Sequence, residues 1–260
     1  MLGKLIKHEF KATTKIFLLF YAILAVLTIL GRIMLNLEVF DNQFAILGGI
    51  LTFFYAMFMI VMLIGTSVFL IVRYFRNMYS DEGYLMFTLP VKPSLLLASK
   101  LIVAVFWQLL NGLITILAVF VLVMNDEVIQ TIKTGIPIAI NEFKAAMGMD
   151  IRLFIFYITI GVILSATYQM LIIYTSINIG QMFGKHRIIG AVVSWMAITT
   201  VLQIASQILV TLLGFYAMDE ERMLDLYNIM LPGGLLVSVL LCAAFYALSS
   251  FIVSRKVNLE

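Results

Sequence analysis

A chain of 260 residues that is 63% hydrophobic and only 12% charged, with a mean hydropathy of +1.10, lies far from soluble-domain composition, which runs near 45–50% apolar and about 25% charged. At about 20 residues per membrane span, six helices and short loops occupy the chain and leave no soluble domain large enough for an active site. The net charge of +3 is too small to define a partner, so its distribution carries the information.

Residues 1–15 place Lys4, Lys7, Lys11 and Lys15 at spacings of three and four, on one helical face. Leu2, Leu5, Ile6 and Phe10 share another. This is the pattern of a basic amphipathic helix in the headgroup plane. A signal peptide is not expected, because the apolar run continues for about 20 residues without a small-x-small cleavage site.

Six apolar segments follow, at 16–36, 46–72, 97–124, 153–179, 188–214 and 232–253, each long enough to span a bilayer. The fold class is therefore all-α, a polytopic membrane protein with six transmembrane helices. Lysines and arginines set the orientation. Four lie in residues 1–15, four in the 73–100 loop (Arg73, Arg76, Lys92, Lys100), two in the 180–188 turn (Lys185, Arg187) and two at the C-terminus (Arg255, Lys256). The opposite side holds five: Arg32, Lys133, Lys144, Arg152 and Arg222. Twelve against five predicts cytoplasmic termini and a cytoplasmic 73–100 loop, and an even number of spans agrees with it. The acidic residues of 38–41, 126–150 and 219–225 fall on the other side.

Two outer segments have character of their own. Residues 125–150, with Gly135-Ile-Pro137, read as a cap or a partly interfacial loop. Residues 216–235 read as a short helix followed by Pro232-Gly-Gly234. That break fits a plain loop-to-span junction, or the turn of an extracellular re-entrant hairpin covered by protein.

Catalytic motifs are missing, so no enzyme and no resident cofactor or metal is expected. There is no His-Glu-x-x-His and no Gly-x-Ser-x-Gly, and His8 and His186 have no ligand-type neighbours at metal spacing. Gly180-Gln-Met-Phe-Gly184-Lys185-His186 departs from the phosphate loop in spacing, in the residue after lysine, and in following an apolar helix, so it reads as a cytoplasmic turn. Cys242 lies in an apolar run and reads as a packed thiol. No acidic or basic residue sits near the middle of a span, which argues against an ion-coupled carrier. Polar residues do line up in three spans: Gln108, Asn111 and Thr115 in the third, Ser165, Gln169 and Ser176 in the fourth, and Thr200, Gln203, Gln207 and Thr211 in the fifth. Such stripes serve interhelical hydrogen bonding, or line a pathway or subunit interface. The fifth-span stripe, with two glutamines one turn apart, favours the second use.

The 73–100 loop is the longest exposed segment on the predicted inner side. Ser80 suits a helix N-cap, with Asp81 and Glu82 in the first turn, where the helix dipole favours negative charge. Gly83 follows, Pro90 ends the helix, and Pro93 suits the first position of the next. The predicted helix and its approach carry Tyr79, Tyr84, Leu85, Met86, Phe87 and Leu89. Clustered aromatic and aliphatic anchors either lie on a membrane surface or fill a groove on a partner.

The run Tyr79-Ser-Asp-Glu-Gly-Tyr-Leu-Met-Phe-Thr-Leu-Pro90, with Pro93-Ser94 and Lys100, resembles the first cytoplasmic loop of type-two ABC exporter permeases. It is most similar to the small six-span permeases of Gram-positive bacteria linked to bacteriocin, toxin-peptide and antibiotic export. The layout of the whole chain resembles them too, but the motif match is confined to this loop. The resemblance implies that residues 73–96 form a coupling loop whose helix docks in a cleft of a separate ATP-binding-cassette ATPase. Two permeases and two ATPases then make the transporter, and ATP and magnesium are bound by the partner. It implies a homodimer in the bacterial cell membrane, a re-entrant hairpin before the sixth span, and a pathway at the permease–permease interface. The exported substrate is expected to be an amphipathic peptide or toxin, with lipid or antibiotic as alternatives. A stand-alone secondary transporter or channel, or a membrane partner that regulates a sensor or protease, is the competing reading.

Overall fold

The computed structural model describes residues 1–36, 45–80, 83, 91–216 and 220–255. Among these the chain is all helical. Seven α-helices run in order: α1 (Leu2–Asn36), α2 (Ala45–Tyr79), α3 (Pro93–Val123), α4 (Asp126–Met147), α5 (Ile151–Gly180), α6 (Arg187–Tyr216) and α7 (Glu220–Arg255), with a single 3-10 turn at Gly184–His186 before α6. Six of them, all but α4, are long and apolar enough to cross a membrane, as the hydropathy pattern predicts. A multi-pass membrane protein follows from length and composition.

Three elements differ from expectation. Residues 1–15 are not a separate helix, since α1 runs unbroken from Leu2 to Asn36. The lysines are exposed, as their shared face requires, but Glu9, Thr13 and Phe17 are buried in the bundle. Residues 126–147 form the helix α4 where a cap or loop is expected. Pro137 removes one backbone donor, yet Ile129, Ile132, Phe143 and Met147 hold one half-buried face at helical spacing. Finally, α7 passes through Pro232-Gly233-Gly234 without a turn, so no hairpin bend falls at that break. In an apolar segment the bonds on either side carry the helix past a single proline, because an exposed backbone break in lipid costs more.

The helices fall into two compact units. The first contains residues 1–73 and 102–134. Its core is Leu24, Tyr55 and Met62, with Phe58, Ile114 and Ala118 packed around them. Thr28 Oγ1 and Tyr55 Oη share a hydrogen bond of 3.2 Å across α1 and α2. Trp107 of α3 stacks on Phe17 of α1 at 4.5 Å, and its Nε1–H donates to Thr13 Oγ1 at 2.8 Å. Arg73 of α2 forms an ion pair with Glu9 of α1 at 2.9 Å.

The second unit contains residues 74–101 and 135–260. Its central helix is α5, which packs against both α6 and α7. The last third of α5 is its most buried part, including Met170, Leu171, Tyr174, Thr175 and Asn178. Gly180 makes the approach of α6 feasible: a Cβ there would lie 2.5 Å from the backbone nitrogen of Ala191. Gly184 takes φ +49°, a left-handed conformation that a glycine adopts at little cost, and it turns the chain into α6.

Candidate coupling site at the roots of the 73–100 segment

The residues that enter and leave the 73–100 segment belong to the second unit, with α5, α6 and α7. On the entering side, α2 persists to Tyr79 because its last turns present Tyr74, Asn77 and Met78 to the interior. Ser80 then ends it. Its hydroxyl donates to the Arg76 carbonyl, and its own carbonyl accepts from Gly83 N–H at 2.7 Å. The side chain therefore bonds back to α2, and residues 81, 82 and 84–90 of the helix it is expected to cap lie outside the described residues. Asp81, Glu82, Tyr84, Leu85, Met86, Phe87, Leu89 and Pro90 lie outside the described residues. On the leaving side, α3 begins at Pro93, the first helical position expected for it.

Both roots are bonded to later helices. Asn178, fully buried in the last turn of α5, accepts at Oδ1 from the Tyr79 hydroxyl at 2.6 Å and from the Tyr74 hydroxyl at 2.8 Å. Tyr74 also lies flat on Tyr174, with ring centres 3.8 Å apart and an interplanar angle of 9°. On the other side, the Tyr246 hydroxyl of α7 donates to the Ser94 carbonyl at 3.0 Å. Between these two points, Thr175 of α5 and Ser249 of α7 share a 2.7 Å hydrogen bond. The segment's two ends thus rest on α5 and α7, and those helices are joined by a polar contact at the same end of the unit. Asn178 Nδ2 is buried with no partner among the described residues. Burying an unmade donor is costly, so the orientation of this amide is set by its two phenolic partners.

Tyr79 is expected from its place in the loop to meet an external partner. Its hydroxyl is instead committed inward, to Asn178. Tyr74, Tyr174, Asn178 and Tyr246 are not singled out by the sequence. Only Asn178 left a signal, as an asparagine in the closing turn of an apolar helix.

The polar stripes separate into two groups. Asn111 is buried and its Nδ2 donates to the Met62 carbonyl at 3.2 Å and Thr66 Oγ1 at 3.1 Å, while Gln108 Nε2 donates to Ser67 Oγ at 3.4 Å. These two residues hold α3 against α2. In α5, Ser176 is buried and bonds back to Ile172, while Ser165 and Gln169 are exposed. On α6, Thr200, Gln203, Gln207 and Thr211 are all exposed. Thr211 Oγ1 bonds back to the Gln207 carbonyl at 2.8 Å, but the Gln203 and Gln207 amides have no partner among the described residues. The site's chemistry is hydrogen bonding and aromatic stacking. Among the described residues no three His, Cys, Asp or Glu side chains gather in a group that could hold a metal ion. Comparison with protein-family models, with curated proteins and with solved structures finds no match to this chain.

Proposed function

We propose that the chain is the membrane subunit of an ATP-driven exporter, working with a separate ATP-binding-cassette ATPase that docks on residues 81–90. The observation that carries this reading is the anchoring of both roots of the segment, at Tyr79 and Ser94, to α5 and α7. A segment that merely connected two spans has no need of such anchors. A segment that receives force does, because the force must reach helices rather than dissipate in the loop. The helices it reaches include the partner of α6, whose exposed glutamines are the best candidates for a pathway or an interface with a second copy.

In this reading the termini and the 73–100 segment are cytoplasmic, and the face of lysines on α1 meets the inner headgroups. The chain works as a homodimer with two ATPase copies, which bind ATP and magnesium. The ATPase's nucleotide-bound and nucleotide-free states hold residues 81–90 differently, and only that difference can shift the permease. The substrate is amphipathic, a peptide or toxin. Tyr84→Ala combined with Phe87→Ala is the test. The permease should insert and fold, and should lose recovery of its ATPase on co-purification. Unchanged co-purification and unchanged stimulated ATP hydrolysis would defeat the reading in favour of a carrier that needs no ATPase.

A further inference from the structure

Three buried polar atoms of the first unit have no partner among the described residues: Tyr21 Oη of α1, and Gln108 Oε1 and Asn111 Oδ1 of α3. We propose that an internal water binds between these three atoms and joins α1 to α3 inside the bilayer. The inference requires only that α1, α2 and α3 cross the membrane, and it is independent of the exporter reading.

The direction of the two amides is the first argument. The Met62 carbonyl can only accept, so Asn111 turns Nδ2 toward it and Oδ1 away. Ser67 Oγ donates to the Leu63 carbonyl at 3.3 Å, so toward Gln108 it accepts and meets Nε2. Both amides are therefore oriented by α2, and each keeps a carbonyl oxygen that needs a donor. They lie near the middle of α3, and Asn111 is 1% exposed. An unmet acceptor at that depth is costly. Placement is the second argument. Gln108 and Asn111 are three residues apart, on one face of the helix. Tyr21 lies beside Trp107, the neighbour of Gln108 in sequence, with ring centres 6.3 Å apart. It also packs on the core of Leu24, Tyr55 and Met62, and the Met62 carbonyl is the one that receives the Asn111 amide. These contacts bring the phenol to the stretch of α2 and α3 that holds both amides. None of the three atoms bonds to another, so they need a group between them. Water satisfies all three at once. It donates to the two carbonyl oxygens and accepts from the phenol, which makes about three bonds, the usual number for a buried water. A cation would also attract oxygens, but residues 16–36, 46–72 and 102–123 contain no carboxylate to balance it. An uncompensated charge is far costlier to bury than a neutral ligand.

Thermal unfolding of the full chain in detergent tests this through the sign of one substitution. Tyr21→Phe deletes a single hydroxyl and leaves both amide bonds to α2 in place. If the hydroxyl holds a water, its loss should lower the unfolding midpoint by about 2–4 °C, the shift expected for one hydrogen bond in a chain of this size. If the hydroxyl is unmet in an apolar interior, its removal relieves a cost. An unchanged or raised midpoint would therefore overturn the proposal. Gln108→Met tests whether the water is shared. Combined with Tyr21→Phe it should shift the midpoint by less than the sum of the two single shifts, because both variants disturb the same ligand. Strictly additive shifts would overturn the shared site. Midpoints should also be equal in sodium, potassium and choline chloride at one ionic strength. A rise specific to sodium or potassium that Tyr21→Phe abolishes would overturn the water in favour of a cation. A structure of the full chain that shows ordered waters decides the matter if Gln108→Met does not fold. It should place a peak about 2.5–3.0 Å from all three oxygens, and the lack of that peak would overturn the proposal.

Discussion

The Tyr79 hydroxyl donates to Asn178 Oδ1 across 99 residues of sequence, and the same oxygen accepts from Tyr74. One amide thus fixes the last turn of α2 to the last turn of α5. Replacing Asn178 with leucine leaves two interior phenols without an acceptor, each costing about 1–3 kcal/mol if nothing else receives it. Tyr79→Phe removes only one donor, and Tyr74 still satisfies the amide oxygen. Asn178→Leu should therefore lower the unfolding midpoint more than Tyr79→Phe, and should speed tryptic cleavage at Arg76 or Lys92. Equal midpoints in the two variants would show that Asn178 is not the hub of the cluster.

Gly180 and Ala191 set the closeness of α5 and α6. The nearest atom to an added Cβ at Gly180 is the Ala191 backbone nitrogen, at 2.5 Å, so the strain cannot be relieved by a side-chain rotation. Gly180→Ala should destabilise by about 1–3 kcal/mol, the usual cost of overpacking. Ala191→Gly should not restore the loss, because the backbone remains in the way. Full rescue by Ala191→Gly in a thermal unfolding assay would place the obstruction in the alanine methyl instead.

The six spans were legible because a run of apolar residues long enough to cross a bilayer has few other uses. Their ends were less so. α1 begins some fourteen residues before the predicted span, because Glu9 finds Arg73 and Thr13 finds Trp107, and neither pairing can be read from local spacing. The helix α4 was hidden by Gly135 and Pro137, which signal a break to any local rule, although Ile129, Ile132, Phe143 and Met147 keep helical period through it. Pro232 misled in the same way. Of the candidate site, the segment itself and the helix start at Pro93 were visible. Its anchors were not, since Tyr74, Tyr174 and Tyr246 look like ordinary residues of apolar helices until their partners are known.

Glu9 and Arg73 pair across α1 and α2, with Glu9 largely buried and Arg73 about one quarter exposed. Removing one partner of a buried pair takes away part of the compensation of the other's charge, whereas removing both does not. Arg73→Met should therefore destabilise more than the double variant Glu9→Gln with Arg73→Met. The partial exposure of Arg73 keeps the coupling modest, on the order of 1 kcal/mol. A double-mutant cycle on thermal or denaturant unfolding measures it. A double variant that is less stable than Arg73→Met would show that each side chain contributes chiefly through its own packing.

Gln203 and Gln207 lie one turn apart on α6, exposed and without partners among the described residues. A primary amide facing lipid has unmet hydrogen bonds, and a neighbouring helix or a polar substrate removes that cost. The two occupants predict different outcomes for Gln203→Leu with Gln207→Leu. If the amides meet a passing substrate, leucine leaves assembly intact and lowers transport per assembled complex. If they meet a second copy of the chain, the dimer weakens, by roughly 0.6 kcal/mol for each typical interhelical hydrogen bond lost, and transport falls only in step with dimer content. The exporter reading expects the first outcome. Cross-linking yield and vesicle transport, measured on the same preparation, separate the two. A fall in dimer with unchanged transport per dimer would assign the stripe to helix packing and remove it from the pathway.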